Sequence, residues 1–123
     1  MKFRILLGLI AAVVLAGCNA TPKRAASDFM NSLKDHKYAA AAECCGISKD
    51  QHSKQIQMAM LEEKYGMSDN SVRAFVITKD SVFPDKQNAI VTMNILYTDL
   101  HREDSVVLKM RKMDHKWIAQ PFE

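Results

Sequence analysis

Glycine is scarce. The 123 residues contain four, and Gly8 and Gly17 lie in the apolar opening of the chain, so only Gly46 and Gly66 serve the rest. A phosphate cradle needs closely spaced glycines that let the backbone approach an anion, and no such loop is present. The Gly-x-Ser-x-Gly nucleophile elbow is missing too. The three cysteines form no Cys-x-x-Cys, and His36, His52, His101 and His115 form no His-x-x-x-His. Metal signatures depend on such spacings. Met58, Met60, Met110 and Met113, with His52 or His115 nearby, are soft donors of the kind that suit copper(I), but methionine more commonly fills irregular cores. No metal or cofactor is expected.

Long apolar runs are missing as well, with one exception. Ile5 to Ala16 is uncharged and follows Lys2 and Arg4. At 1.5 Å per residue it would span roughly 18 Å as a helix, short of the ~30 Å hydrocarbon core. A positive head, a short apolar run and small residues together form the layout of a secretory signal. The end of the run, Leu15-Ala16-Gly17-Cys18, resembles the bacterial lipobox. That resemblance implies cleavage after Gly17 and acylation of Cys18, with palmitate-type chains anchoring the mature protein. One acyl chain binds a membrane marginally, whereas two or three hold it almost permanently. Asn19 in place of Asp implies the outer membrane by the enterobacterial sorting rule. Asn19 to Arg24 carries no acidic surface-export signal, so a periplasm-facing domain is expected. The expected organisation is a signal peptide at 1–17, a lipidated tether at 18–21 and one domain at 22–123.

Removal of residues 1–17 leaves 106 of the 123 residues, enough for one small domain that buries roughly 65% of its unfolded-chain surface. Lys2 and Arg4 leave with the signal, so 17 basic residues become 15 against 14 acidic. A near-neutral total removes the compositional argument for nucleic-acid binding. The local cluster Lys109, Arg111, Lys112 and Lys116 reads as a solvated strand face. With Cys18 acylated, the adjacent pair Cys44-Cys45 remains. The readings open to it are one packed and one exposed thiol, a vicinal or intermolecular disulfide, or a redox or metal role; an exported compartment permits disulfides without requiring one.

Thr21-Pro22 reads as a helix N-cap and first helical residue, and Ala26, Phe29, Met30 and Leu33 share one helical face. Asp35-His36-Lys37 interrupts, and a second helix is expected from Tyr38 to Cys45, ending at Gly46. Ser48-Lys49-Asp50-Gln51 matches a capping box for a third, with Ile56, Ala59 and Met60 on one side and a stop at Tyr65-Gly66. After Asp69-Asn70 the period becomes two. Val72, Ala74 and Val76 alternate with Arg73, Phe75 and Ile77. Beyond a turn at 84–87, Ala89, Val91, Met93, Ile95 and Tyr97 share a face. Val106, Leu108 and Met110 follow a turn at 100–103, and Lys116-Trp117-Ile118-Ala119 follows Asp114-His115. Helices first and four turn-linked strands second predict an α+β fold: two or three helices on a curved four-stranded antiparallel meander.

The stretches "KDHKYAAAAECC" and "VVLKMRKMDHKWIAQPF" in that order resemble the cystatin-like, nuclear-transport-factor-2-like superfamily over residues 22–122, and more narrowly the small bacterial lipoproteins that carry such a domain. The resemblance implies a cone that holds a ligand or dimerises through its sheet. Enzymes of the superfamily place acids, His or Tyr inside the cone. Here the inward positions are Val, Ala, Met, Ile and Leu, so no catalytic residues are expected. Tyr97, Asp99 and His101, at alternate positions, are the best constellation for an isomerase or dehydratase. Asp80-Ser81-Val82 and Asp104-Ser105-Val106 fit the Bacteroidetes O-glycosylation acceptor at Ser81 and Ser105. The expectation is a lipid-anchored, non-catalytic domain for a partner protein or small apolar ligand; the alternatives are a small-molecule enzyme and a structural envelope protein that self-associates.

Overall fold

A computed structural model describes residues 21–46, 50–66, 71–99 and 102–122. The lipidation residue Cys18, the Ser48-Lys49 half of the capping box and His101 lie outside them. Three helices, α1 (Pro22–Lys34), α2 (Tyr38–Cys44) and α3 (Gln51–Tyr65), precede strands β1 (Val72–Val82), β2 (Asn88–Tyr97), β3 (Glu103–Met113) and β4 (Lys116–Gln120). The strands form one antiparallel sheet in sequence order. No helix among the described residues is long and apolar enough to cross a membrane.

Helix α1 forms where its caps and its apolar spacing agree. Thr21 is extended and its side chain accepts from Arg24 N at 3.2 Å, with Pro22 in the first turn. Ala25, Ala26, Phe29, Met30 and Leu33 are all at most 3% exposed. At its end, His36 N donates to Leu33 O at 3.1 Å and Lys37 N to Ser32 O at 2.8 Å. These are the two bonds of a Schellman motif, and His36 takes the left-handed position (φ 58°) that glycine usually fills. The Asp-His-Lys interruption is thus the stop of α1.

α1 lies across the sheet and touches all four strands, whereas α2 packs on α1 and α3 on α2. The sheet therefore carries one helix directly, and the other two form an outer tier. The Asp50 side chain caps α3, accepting from His52 N (3.2 Å) and Ser53 Oγ (2.9 Å). These bonds hold its carboxyl below the usual carboxylate range. The cap is therefore Asp50, two residues beyond the Ser48 of the expected box. α3 buries Leu61 and Tyr65, with Met58 half-buried, and leaves Ile56, Ala59 and Met60 exposed. The expected apolar side faces outward because α3 packs mainly on α2 and reaches α1 chiefly through Tyr65 near its end, so a narrow stripe suffices.

In β2 the helix-facing residues Ala89, Val91, Met93, Ile95 and Tyr97 are at most 6% exposed. Their partners on β3 are Met110, Leu108, Val106 and Asp104, and Ala119 continues the row onto β4. β1 departs from simple alternation. A register shift between Val72 and Ala74 inserts one extra residue, so Phe75 and Ile77 join Val72 on the helix side opposite Ile95 and Met93. Ala74 and Val76 face away, and Val76 is 64% exposed. Such a bulge resets the period of two without a distinctive residue type. Asp114 and His115, both with positive φ (49° and 64°), make the two-residue β3–β4 hairpin.

Candidate functional site

The helix-facing sheet wall is apolar along most of its length and becomes polar at one end. Tyr97 closes the buried row of β2, and Asp104 lies beside it on β3, across from Ile95. Arg102 bridges this corner. Its guanidinium carbon stands 4.3 Å from the Tyr97 ring centroid, and its Nε lies 3.4 Å from Asp104 Oδ2. From the helical side Tyr65 reaches the same region, its ring edge-on to Phe29 with centroids 6.3 Å apart. Cys45, the C-cap of α2, completes the cluster.

Its electrostatics favour neutral groups. The Tyr65 hydroxyl is pushed up to about 12, first by burial and then by Tyr97 and Cys45. The Cys45 thiol is pushed up to about 12 by burial and then by Cys44. Tyr97 is also raised, by burial and by Asp104, with Arg102 acting in the opposite direction. Desolvation disfavours each ionised form. Near neutral pH Tyr65, Tyr97 and Cys45 are held in their protonated forms, able to donate hydrogen bonds. Cys44 and Cys45 are both half-buried thiols, so the pair is not divided into one packed and one exposed residue as the first of its readings has it.

Of the residues singled out in the sequence, Tyr97 belongs to this cluster and Asp99 does not. β2 ends at Tyr97, so the alternation that would align Asp99 with it stops, and Asp99 lies exposed in the following turn. The acid beside Tyr97 is Asp104, which comes from the neighbouring strand through a register that no local pattern encodes. Ser81 lies half-buried on β1 opposite Ile90, and Ser105 lies exposed on β3 opposite Asn94. Both face away from the helices. The basic cluster is split: Lys109 and Arg111 face away, while Lys112 pairs with Trp117 and holds its ammonium 5.9 Å from that ring. Met58 is half-buried, Met60 exposed and Met110 buried. Among the described residues no three His, Cys, Asp or Glu side chains converge on a point.

A second feature lies on the outer tier. Met60, Glu63, Lys64 and Phe122 line an open groove of about 340 Å³. Its floor is pinned by Lys64, whose Nζ donates to Pro121 O at 2.6 Å and stands 5.3 Å from the Phe122 ring and 5.4 Å from Tyr65. This lysine ties the chain beyond β4 to α3. Met60 and Phe122 remain 43% and 41% exposed, next to Ile56 at 48%.

No family model matches the chain, and neither does any curated protein sequence. Among solved structures it is similar to one from Campylobacter jejuni that bears the provisional name NTF2-like transpeptidase. The two share 17% identity with a TM-score of 0.56, over 80% of this chain and 96% of that one. The likeness establishes the NTF2-like, cystatin-like α+β fold.

Proposed function

We propose that the chain is an outer-membrane lipoprotein, held by acyl groups on Cys18 and facing the periplasm, whose NTF2-like domain binds a partner protein without catalysing a reaction. The observation that carries the binding reading is where the apolar surface lies. Val91, Met93 and Ile95 are at most 1% exposed, so α1 fills the sheet wall. That leaves little room there for a small apolar ligand. The open apolar surface is on the outside, where Ile56, Met60 and Phe122 flank the α3 groove. Contiguous exposed apolar side chains rimmed by charge are the usual mark of a protein contact.

The name of the Campylobacter structure raises transpeptidation, for which Cys45 in the buried cluster would be the nucleophile to consider in this chain. Such chemistry needs a thiolate, and burial holds Cys45 in the opposite state. Self-association through the sheet is favoured by a different observation: Val76 and Val107 stand 64% and 55% exposed on the face away from the helices.

One experiment separates these readings. A photo-crosslinking amino acid is placed at Met60 or at Val107 in the full-length chain in cells. The binding reading expects a discrete heterologous adduct from Met60. An adduct at twice the chain mass from Val107 alone supports self-association instead, and no adduct from Met60 overturns the partner reading.

A further inference from the structure

The end of the sheet farthest from Tyr97 combines charge and apolar side chains in a way that neither fold nor core requires. The β1–β2 turn and the β3–β4 hairpin tip lie side by side there. Asn88 pairs with Arg111, and Lys112 N donates to Gln87 O at 2.8 Å. The first turn is rigid. The Asp85 carboxylate accepts from Gln87 N (2.9 Å), Asn88 N (3.1 Å) and Asn88 Nδ2 (2.6 Å), while Lys86 N donates to Phe83 O at 2.9 Å. Three large apolar residues protrude at this rim: Val82 is 47% exposed, Phe83 43% and Met113 48%.

Cations surround them. Residues 79–88 and 109–116 hold six basic residues against the carboxylates of Asp80, Asp85 and Asp114, whereas the rest of the chain after residue 17 holds nine basic against eleven acidic. The near-neutral total thus conceals a segregated charge. Asp85 is engaged within its own turn. Lys86, Lys109, Arg111 and Lys116 are exposed, and none makes an ion pair among the described residues. Only Lys112 is drawn inward, over Trp117.

We propose that this rim docks on an anionic lipid surface, with Phe83, Val82 and Met113 entering the headgroup layer and Lys86, Arg111 and Lys116 meeting lipid phosphates. Apolar side chains at rigid turn tips among cations suit an interface that is anionic outside and apolar just beneath. A nucleic-acid surface would use the cations and leave the apolar tips in water. The contact requires no acyl chain, so it stands or falls separately from lipidation at Cys18.

The test is co-sedimentation of the unacylated chain Asn19–Glu123, which keeps every core residue from Ala25 to Ala119, with phosphatidylcholine vesicles and with vesicles that also contain phosphatidylglycerol. Binding only to the anionic vesicles is expected, weakened by salt. The double variant Arg111→Glu/Lys116→Glu should lose at least tenfold, since each cation near such a surface contributes about fivefold. Phe83→Ser/Met113→Ser should lose several-fold at low salt while keeping the wild-type melting temperature, because both side chains are exposed. Equal binding to neutral vesicles, no binding to either, or binding indifferent to the apolar pair overturns the proposal. If the apolar pair is indifferent while single-stranded RNA binds and the charge variant abolishes that binding, the rim is a polyanion site instead.

Discussion

A side chain on Gly66 would collide with Tyr38. A Cβ built there lies 2.5 Å from the Tyr38 hydroxyl and 2.6 Å from the Glu62 carbonyl oxygen. Gly66 has φ −108°, so what requires glycine is space and not backbone handedness. The contact joins the end of α3 to the start of α2. Gly66→Ala is expected to destabilise the domain by about 1–3 kcal/mol, the usual cost of overpacking a closed site. Chemical denaturation measures it. Adding Tyr38→Ala should recover only part of the loss, because the Glu62 oxygen belongs to the backbone and cannot move aside.

His36 offers the opposite case. It holds the left-handed position of the α1 stop, where an L side chain is strained, and the compensation visible at the surface is the 2.9 Å contact between its Nδ1 and the Tyr38 hydroxyl. Replacing it with glycine should leave stability unchanged or raise it by up to about 1 kcal/mol. A β-branched residue, as in His36→Val, should lower it by about 1–2 kcal/mol. Thermal melts should therefore place His36→Gly at or above the wild type and His36→Val below it, and a decrease in both would show that the His36–Tyr38 contact outweighs the strain.

At both stops local pattern marks the helix end, and tertiary packing decides the rest. Periodicity located α1, the sheet and its turns, because Phe29, Met30 and Leu33 and the β2 row satisfy a single repeat each. It misassigned the face of α3, since Ile56, Ala59 and Met60 are spaced as well as Leu61 and Tyr65 and only the outer-tier packing chooses between them. It could not see the β1 bulge that brings Phe75 and Ile77 inward, because an inserted residue changes register without changing composition. The Tyr65–Tyr97–Cys45 cluster was hidden for a related reason. Its members come from three elements and meet through helix–sheet packing, whereas Tyr97-Asp99-His101 drew attention by an alternation that ends with the strand.

The cluster makes stability depend on alkaline pH. Tyr65 and Cys45 titrate from 10.0 and 9.0 in the unfolded chain to about 12 each in the folded one. Between those values the unfolded state has released protons that the folded state retains. Unfolding therefore becomes easier as pH rises, by up to about 1.4 kcal/mol per pH unit for each group. The stabilising contribution is complete below pH 9 and is lost as pH climbs from there to about 12. Urea unfolding across that window should show the decline. Tyr65→Phe should flatten part of it, and a wild-type profile that stays level to pH 12 would contradict the burial of these groups.

The same burial predicts the reactivity of the cysteine pair. A thiol raised from 9.0 to about 12 holds roughly a thousandfold less thiolate near neutral pH, and thiolate is the species that alkylates. Cys45 in the folded protein should react with iodoacetamide at least a hundredfold more slowly than in urea, as read by peptide mass spectrometry. Labelling of native Cys45 at the unfolded rate would place its thiol in solvent and return the cluster to the candidates for covalent chemistry.

Membrane attachment through Cys18 is the claim with the widest consequence, and it can be separated from docking by the basic rim. Cys18→Ser removes the acyl acceptor while leaving the apolar run and the folded domain unchanged in sequence. If lipid anchors the chain, the wild type should fractionate with outer membranes and resist salt extraction, since two or three acyl chains hold it almost permanently. The variant, if still exported, should leave the membrane with salt, because any residual contact would be electrostatic and weakened by screening. Intact mass of the wild type should equal residues 18–123 plus lipid, with any further hexose-sized increments pointing to Ser105, whose hydroxyl-bearing residue is the more exposed of the two acceptors. A Cys18→Ser protein that stays in the pellet at high salt, or a wild type whose mass shows residues 1–17 retained, would remove the anchor on which the proposed location rests.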